Sequence, residues 1–92
     1  MVNWTDVGVN LTASSLLPKA AEVLTAACAA DVRRCVLIGT SLQTSVQASE
    51  LANTFAGCIS TAGVHPHDAA EVSQKTPDFI NQLHALAKES TV

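Results

Sequence analysis

Cys35-Val36-Leu37-Ile38-Gly39 is a short, unbroken apolar run closed by glycine, and its reading decides the fold. A half-solvated strand alternates apolar and polar residues. A strand covered on both faces by helices has no such need and reads as continuous β-branched and aliphatic residues. The run therefore predicts a central strand of a parallel sheet. Upstream, Lys19 to Ala30 carries apolar residues at Ala20, Val23, Leu24, Ala27 and Cys28, which is helical spacing, with Ser14, Ser15 and Pro18 as start signals. Before that helix, Trp4 to Val9 predicts a first strand, ending at Gly8-Val9-Asn10.

Downstream, Thr40 and Gln43 have the spacing of a capping box for a helix from Leu42 to about Phe55. Its stripe is weaker: Val46, Ser49 or Glu50, and Ala52. Gly57 ends it. A third strand, Cys58 to Ala62, leads into Gly63-Val64-His65-Pro66-His67-Asp68. A last helix is expected from Thr76 as N-cap and Pro77 at the first helical position, with Phe79, Leu83 and Leu86 facing inward. Ser90-Thr91-Val92 could open a fourth strand. The pattern is α/β, three strand-then-helix units in residues 1–92, and such units require parallel pairing with right-handed crossovers.

Bulk properties narrow the class. The chain has 92 residues, 48% hydrophobic and 14% charged, with a formal charge of −3. It lacks the basic face of a free-standing nucleic-acid binder, since phosphate contacts are the main source of such affinity. A metallonuclease escapes that rule in part, because cations supply positive charge at the phosphate. Cys28, Cys35 and Cys58 are odd in number, lack a C-x-x-C spacing and sit in apolar stretches. They are expected to be buried and reduced, as in a cytoplasmic protein. No apolar run approaches the ~18–20 residues that span a bilayer, and Met1 to Asp6 has no secretory-signal pattern.

In parallel α/β folds, reacting groups gather at the C-terminal ends of strands. Here the unusual residues fall at those ends: Asp6 and Asn10 at the first, Gly39-Thr40-Ser41 at the second, His65-Pro66-His67-Asp68 at the third. His65 and His67 flank a proline that keeps the segment extended. Two histidines at i and i+2 can place two nitrogens on one metal or phosphate, and Asp68 adds a carboxylate. A solvated polar loop fits the same spacing. Alternation puts Asp6, Gly8 and Asn10 on one side of the first strand, where Asp6 and Asn10 could offer oxygens to a hard divalent cation. They could equally just fix the strand's end. Thr12, Ser14, Ser15, Thr40 and Ser41 could hold a phosphate or serve as plain caps. Gly8-Val9-Asn10-Leu11-Thr12 falls short of a G-x-G-x-x-G nucleotide loop.

Together, Asp6-Val7-Gly8-Val9-Asn10-Leu11-Thr12 and Thr61-Ala62-Gly63-Val64-His65-Pro66-His67-Asp68 resemble the TatD family of metal-dependent deoxyribonucleases. Leu37-Ile38-Gly39-Thr40-Ser41 and the Gln47-Ala48…Leu51-Ala52 stretch also match that family's order and spacing. The resemblance covers essentially the whole chain. It implies the N-terminal part of a TIM (β/α)8 barrel of the amidohydrolase-like type, with a divalent metal (Mg2+, or Mn2+ or Zn2+) at the mouth. The implied reaction is hydrolysis of DNA phosphodiesters, often exonucleolytic. His65 matches the family's G-x-H-P histidine, which implies a catalytic role in orienting or neutralising the phosphate, with His67 and Asn10 beside it on substrate. Many relatives begin D-x-H-x-H; here those positions are Gly8 and Asn10, which leaves Asp6 and Asn10 as candidate metal ligands.

The family's later strands bring a glutamate in G-E-x-G-L-D, two further histidines and a catalytic aspartate, none of which occurs in these residues. The 92-residue chain alone is accordingly expected to be inactive. Its sheet should be uncovered around Val36 and Ile38, so that it self-associates or needs a C-terminal part. An alternative is a non-catalytic association module.

Overall fold

Val36 pairs with Val7 on one side and Ile59 on the other, in two parallel ladders. The strands are β1 (Trp4–Val9), β2 (Val32–Leu37) and β3 (Cys58–Ser60), in the order β1-β2-β3. The helices are α1 (Ala20–Ala29), entered through a 3-10 turn at Leu17–Lys19, then α2 (Leu42–Thr54), α3 (Ala69–Lys75) and α4 (Phe79–Ala87). The computed structural model describes residues 3–13, 15–75 and 77–92. Parallel pairing of all three strands is the arrangement expected from the continuous apolar run of β2. None of the described helices is long and apolar enough to cross a membrane.

The core lies on one side of the sheet. Leu11, Cys35, Leu37, Ala48, Ala52 and Cys58 are buried together, with Val9, Val23, Leu24, Val32, Leu51 and Phe55 packed around them. Leu11 and Leu37 are fully buried, and each such side chain contributes about 1.5–3 kcal/mol. The opposite side is open. Val7 is 72% and Ile59 53% exposed, while Val36 and Ile38 between them are half-buried. The expected uncovered face therefore centres on the outer strands rather than on β2.

Several expectations need correction. Helix α2 buries Ser49 and Ala52 of the expected stripe, but its inner face continues through Ser45 and Ala48 rather than Val46, which is exposed. Small side chains form this face because the helix lies close on the strands. A Cβ on Gly39 would come within 2.7 Å of the Ser45 Cα and of the Thr61 carbonyl oxygen. The capping box also sits one residue later than Thr40–Gln43. The Ser41 hydroxyl accepts from the Thr44 amide at 3.2 Å, and the Thr44 hydroxyl accepts from the Ser41 amide at 2.8 Å. Threonine at the third helical position does here what glutamate or glutamine usually does.

Strand β2 begins at Val32 rather than Cys35, because Arg33 and Arg34, both exposed, extend it beyond the apolar run. Strand β3 stops at Ser60 rather than Ala62. Helix α3 was not expected, since seven residues are too few to display a helical stripe. Helix α4 starts at Phe79 with Asp78 at the N-cap, so Pro77 lies in the preceding turn. The expected caps or start signals Thr76 and Ser14 lie outside the described residues. Ser90 to Val92 form a turn instead of a strand, yet the Thr91 carbonyl accepts from the Ser60 amide at 2.7 Å, beside β3. Cys28 is exposed and its sulfur accepts from Arg33 Nη1 at 3.2 Å, whereas Cys35 and Cys58 are buried as expected.

Candidate functional site at the strand C-terminal ends

Three chain segments meet where the parallel strands end. The Ile38 amide donates to the Val9 carbonyl at 3.0 Å, which sets the end of β1 against that of β2. The Thr61 amide donates to the Leu37 carbonyl at 2.9 Å, and the His65 amide to the Thr40 carbonyl at 2.7 Å. The loop carrying His65 is thus hydrogen-bonded to the loop after β2. The structure brings Thr40 and His65 together directly, and places Asn10 at the same end of the sheet.

The supports of this rim are hydroxyls that the sequence reading did not single out. The Ser45 hydroxyl donates to the Gly63 carbonyl at 3.2 Å and accepts from the Gly63 amide at 3.1 Å. Thr61 Oγ1 accepts from the Gly39 amide at 3.1 Å. Thr44 Oγ1 accepts from the amides of Thr40 and Ser41, each at 2.8 Å. A buried hydroxyl must find partners or cost about 1–3 kcal/mol, and these find theirs in the loop backbone. The signal that could have revealed them is a serine recurring on the inner face of α2, at Ser45 and Ser49, where an apolar stripe was sought.

At the tip, His65 and His67 are exposed and Asp68 half-buried. The His67 amide donates to His65 Nδ1 at 3.1 Å. In the neutral imidazole the proton must then sit on Nε2. The outward nitrogen of His65 is therefore a donor suited to an oxyanion, and it has no lone pair to give a cation. The Asp68 amide donates to the His65 carbonyl at 2.8 Å, closing the turn. The side chain of Asn10, also exposed, accepts from the Thr12 hydroxyl at 3.3 Å through Oδ1.

The first strand departs from simple alternation. Its pairing with β2 shifts between Val7 and Val9, and Gly8 there has φ +104°, a conformation that favours glycine. Asp6 pairs with Cys35, which faces the core, while Val7 pairs with Val36 on the open side. Asp6, Gly8 and Asn10 therefore do not form one continuous row. The Cys35 thiol reflects this placement: burial first, and the Asp6 carboxylate second, push its pKa up. Among the described residues, no group of three or more His, Cys, Asp or Glu side chains is placed to hold a metal ion. These residues do not make a metal site by themselves.

Residues 5–92 match the family model described as TatD related DNase. The chain is 46% identical over 87 residues to a protein of Citrobacter koseri named 3'-5' ssDNA/RNA exonuclease TatD, covering 95% of this chain and 32% of that relative. Proteins of the same name from Citrobacter rodentium and Escherichia coli K12 are 47% identical over 81 residues and 41% identical over 80. Those matches cover 88% and 87% of this chain, and 31% of each relative. The chain thus spans about a third of the length of the curated relatives it matches. Parallel β-α units, a rim built on G-V-H-P-H-D, and a match along nearly the whole sequence lead to one conclusion: the chain belongs to the family of TatD-related DNases.

Proposed function

We propose that the full-length protein hydrolyses phosphodiester bonds in DNA, exonucleolytically, and that the rim of β1, β2 and β3 forms part of its active site within a closed (β/α)8 barrel. The observation that carries this reading is the His65 imidazole, whose Nδ1 is occupied by the His67 amide. Its Nε2–H is the kind of preorganised donor that orients a phosphate and offsets charge developing on it. His67 and Asn10, exposed at the same end of the sheet, are assigned to substrate binding. The names of the relatives, single-stranded DNA and RNA exonucleases, support a nucleic-acid substrate.

A divalent cation, Mg2+ or in its place Mn2+ or Zn2+, is part of this proposal, with Asp6 and Asn10 as its candidate ligands here. Because these residues do not complete a metal site, we assign most of its ligands to the remainder of the barrel and no activity to the 92 residues alone. The buried free thiols of Cys35 and Cys58 support a reducing, cytoplasmic setting.

The test compares the full-length protein with the 92-residue chain on end-labelled single-stranded DNA, with Mg2+ and with chelator. Magnesium-dependent shortening by the full-length protein alone is expected. His65→Ala in the full-length protein should lower the rate about 10²-fold. Wild-type rates in that variant would remove the role given to His65. A second reading, an association module without catalysis, is favoured by the open apolar row of Val7, Val36 and Ile59.

A further inference from the structure

The end of the sheet opposite to His65 holds a concavity of about 340 Å³, lined by Asn3, Trp4, Thr5, Arg33, Arg34 and Gly57. Its volume lies within the range of about 300–1,000 Å³ typical of small-molecule sites. The two arginines differ in what they are free to do. Arg33 is engaged: its guanidinium meets the Asp31 carboxylate at 3.4 Å and the Cys28 sulfur at 3.2 Å. Arg34 pairs in register with Thr5, and its guanidinium forms no hydrogen bond or ion pair among the described residues. Beside it Trp4 is 62% exposed, an unusual position for an indole in a chain with three aromatic residues of the Phe, Trp and Tyr types.

An uncommitted guanidinium is a bidentate partner for phosphate. An exposed indole is a stacking platform for a base, and the two together are the pairing used to hold single-stranded nucleotides. We infer that this pocket binds a nucleoside monophosphate, free or as the end of a single strand, with Arg34 on the phosphate and Trp4 against the base. The site lies at the N-terminal end of the strands, away from the rim at their C-terminal ends. It does not depend on the catalytic reading of His65.

Trp4 is the single tryptophan, so its fluorescence reports on this pocket. The 92-residue chain is titrated with a nucleoside monophosphate, with the matching nucleoside, with inorganic phosphate and with a short single strand. Saturable quenching by the nucleotide is expected, with at least about tenfold weaker binding of the nucleoside or of phosphate. Arg34→Ala should weaken nucleotide binding at least about tenfold and Arg34→Lys less, each with an unchanged far-UV spectrum. Tighter binding of the strand than of the nucleotide would identify a strand end as the occupant. Absence of saturable quenching to roughly 10 mM, equal affinity for inorganic phosphate, or an Arg34→Ala variant that binds normally would overturn the assignment.

Discussion

The rings of His65 and His67 meet edge to face with their centroids 4.6 Å apart, within the same turn that gives His65 Nδ1 the amide proton of His67. Two contacts, one to a ring and one to the backbone, fix the orientation of His65. They can be separated. Nitrogen NMR at neutral pH should find His65 as the Nε2–H tautomer. His67→Ala retains the amide and should keep that tautomer despite losing the ring contact. His67→Pro removes the donor and should give a mixture. A wild-type His65 protonated on Nδ1 would reverse the chemistry assigned to its outer nitrogen.

Gly39, just after β2, lies so close to Ser45 of α2 that a Cβ there would come within 2.7 Å of the Ser45 Cα, and the loop of Gly63 hangs from the same serine. In Gly39→Ala the new methyl meets backbone on two sides, so neither neighbour can yield by rotating a side chain. A loss of about 1–3 kcal/mol is expected in urea denaturation. Ser45→Ala leaves the Gly63 amide and carbonyl without their partner, and should cost about 1–3 kcal/mol. Its effect should also reach His65, two residues from Gly63, as a shift of the His65 ring resonances. Neutral behaviour of both variants would mean that α2 does not hold the rim.

The same serine shows where sequence stops being legible. Residues Cys35 to Ile38 announce a parallel sheet because they carry no polar row, although here only the Cys35 and Leu37 side is covered and Val36 lies on the open one; β1 from Trp4 to Val9 could be bounded to the residue. The rim followed from parallel direction alone. What stayed hidden depended on contacts between segments distant in sequence. Ser45 on a helix looks polar and solvated until Gly63 is brought beside it. The irregularity at Gly8 breaks the alternation that placed Asp6 with Asn10, and a glycine can follow either path. Helix α3 is too short for its periodicity to register, and Thr44 resembles no standard capping partner.

Cys35 and Cys58 are register partners on β2 and β3, both buried, whereas Cys28 is exposed. Burial raises the pKa of both inner thiols, with a further push on Cys35 from Asp6 and on Cys58 from Cys35. A thiol raised in the folded state keeps its proton after the unfolded chain has released it. Its contribution is whole below the ordinary thiol value of 9.0 and is lost as pH climbs through and above that value. The urea midpoint should therefore fall between about pH 8 and about pH 10. The chain has no tyrosine to titrate in that window. A Cys35→Ala, Cys58→Ala double variant should flatten the slope, and alkylation of the native wild type should mark Cys28 first. An unchanged slope would remove the role given to the two thiols.

Ile59 and Leu37 sit on neighbouring strands but on opposite sides of the sheet, and they should respond to substitution in opposite ways. Leu37 is fully enclosed, so Leu37→Ala should cost about 2–5 kcal/mol. Ile59 is more than half open, in the row with Val36 and Val7. Ile59→Lys should change the stability of a monomeric chain by no more than about 0.5 kcal/mol. A charge in an apolar row does, however, oppose its pairing with a second apolar surface. If copies of the 92-residue chain associate through this face, light scattering should show a concentration-dependent mass that Ile59→Lys returns to the monomer. A substitution on the covered side should lower stability without relieving association in the folded fraction. Should Ile59→Lys instead destabilise the chain as severely as Leu37→Ala at concentrations where it is monomeric, the face is covered from within, and the association reading fails while the family assignment stands.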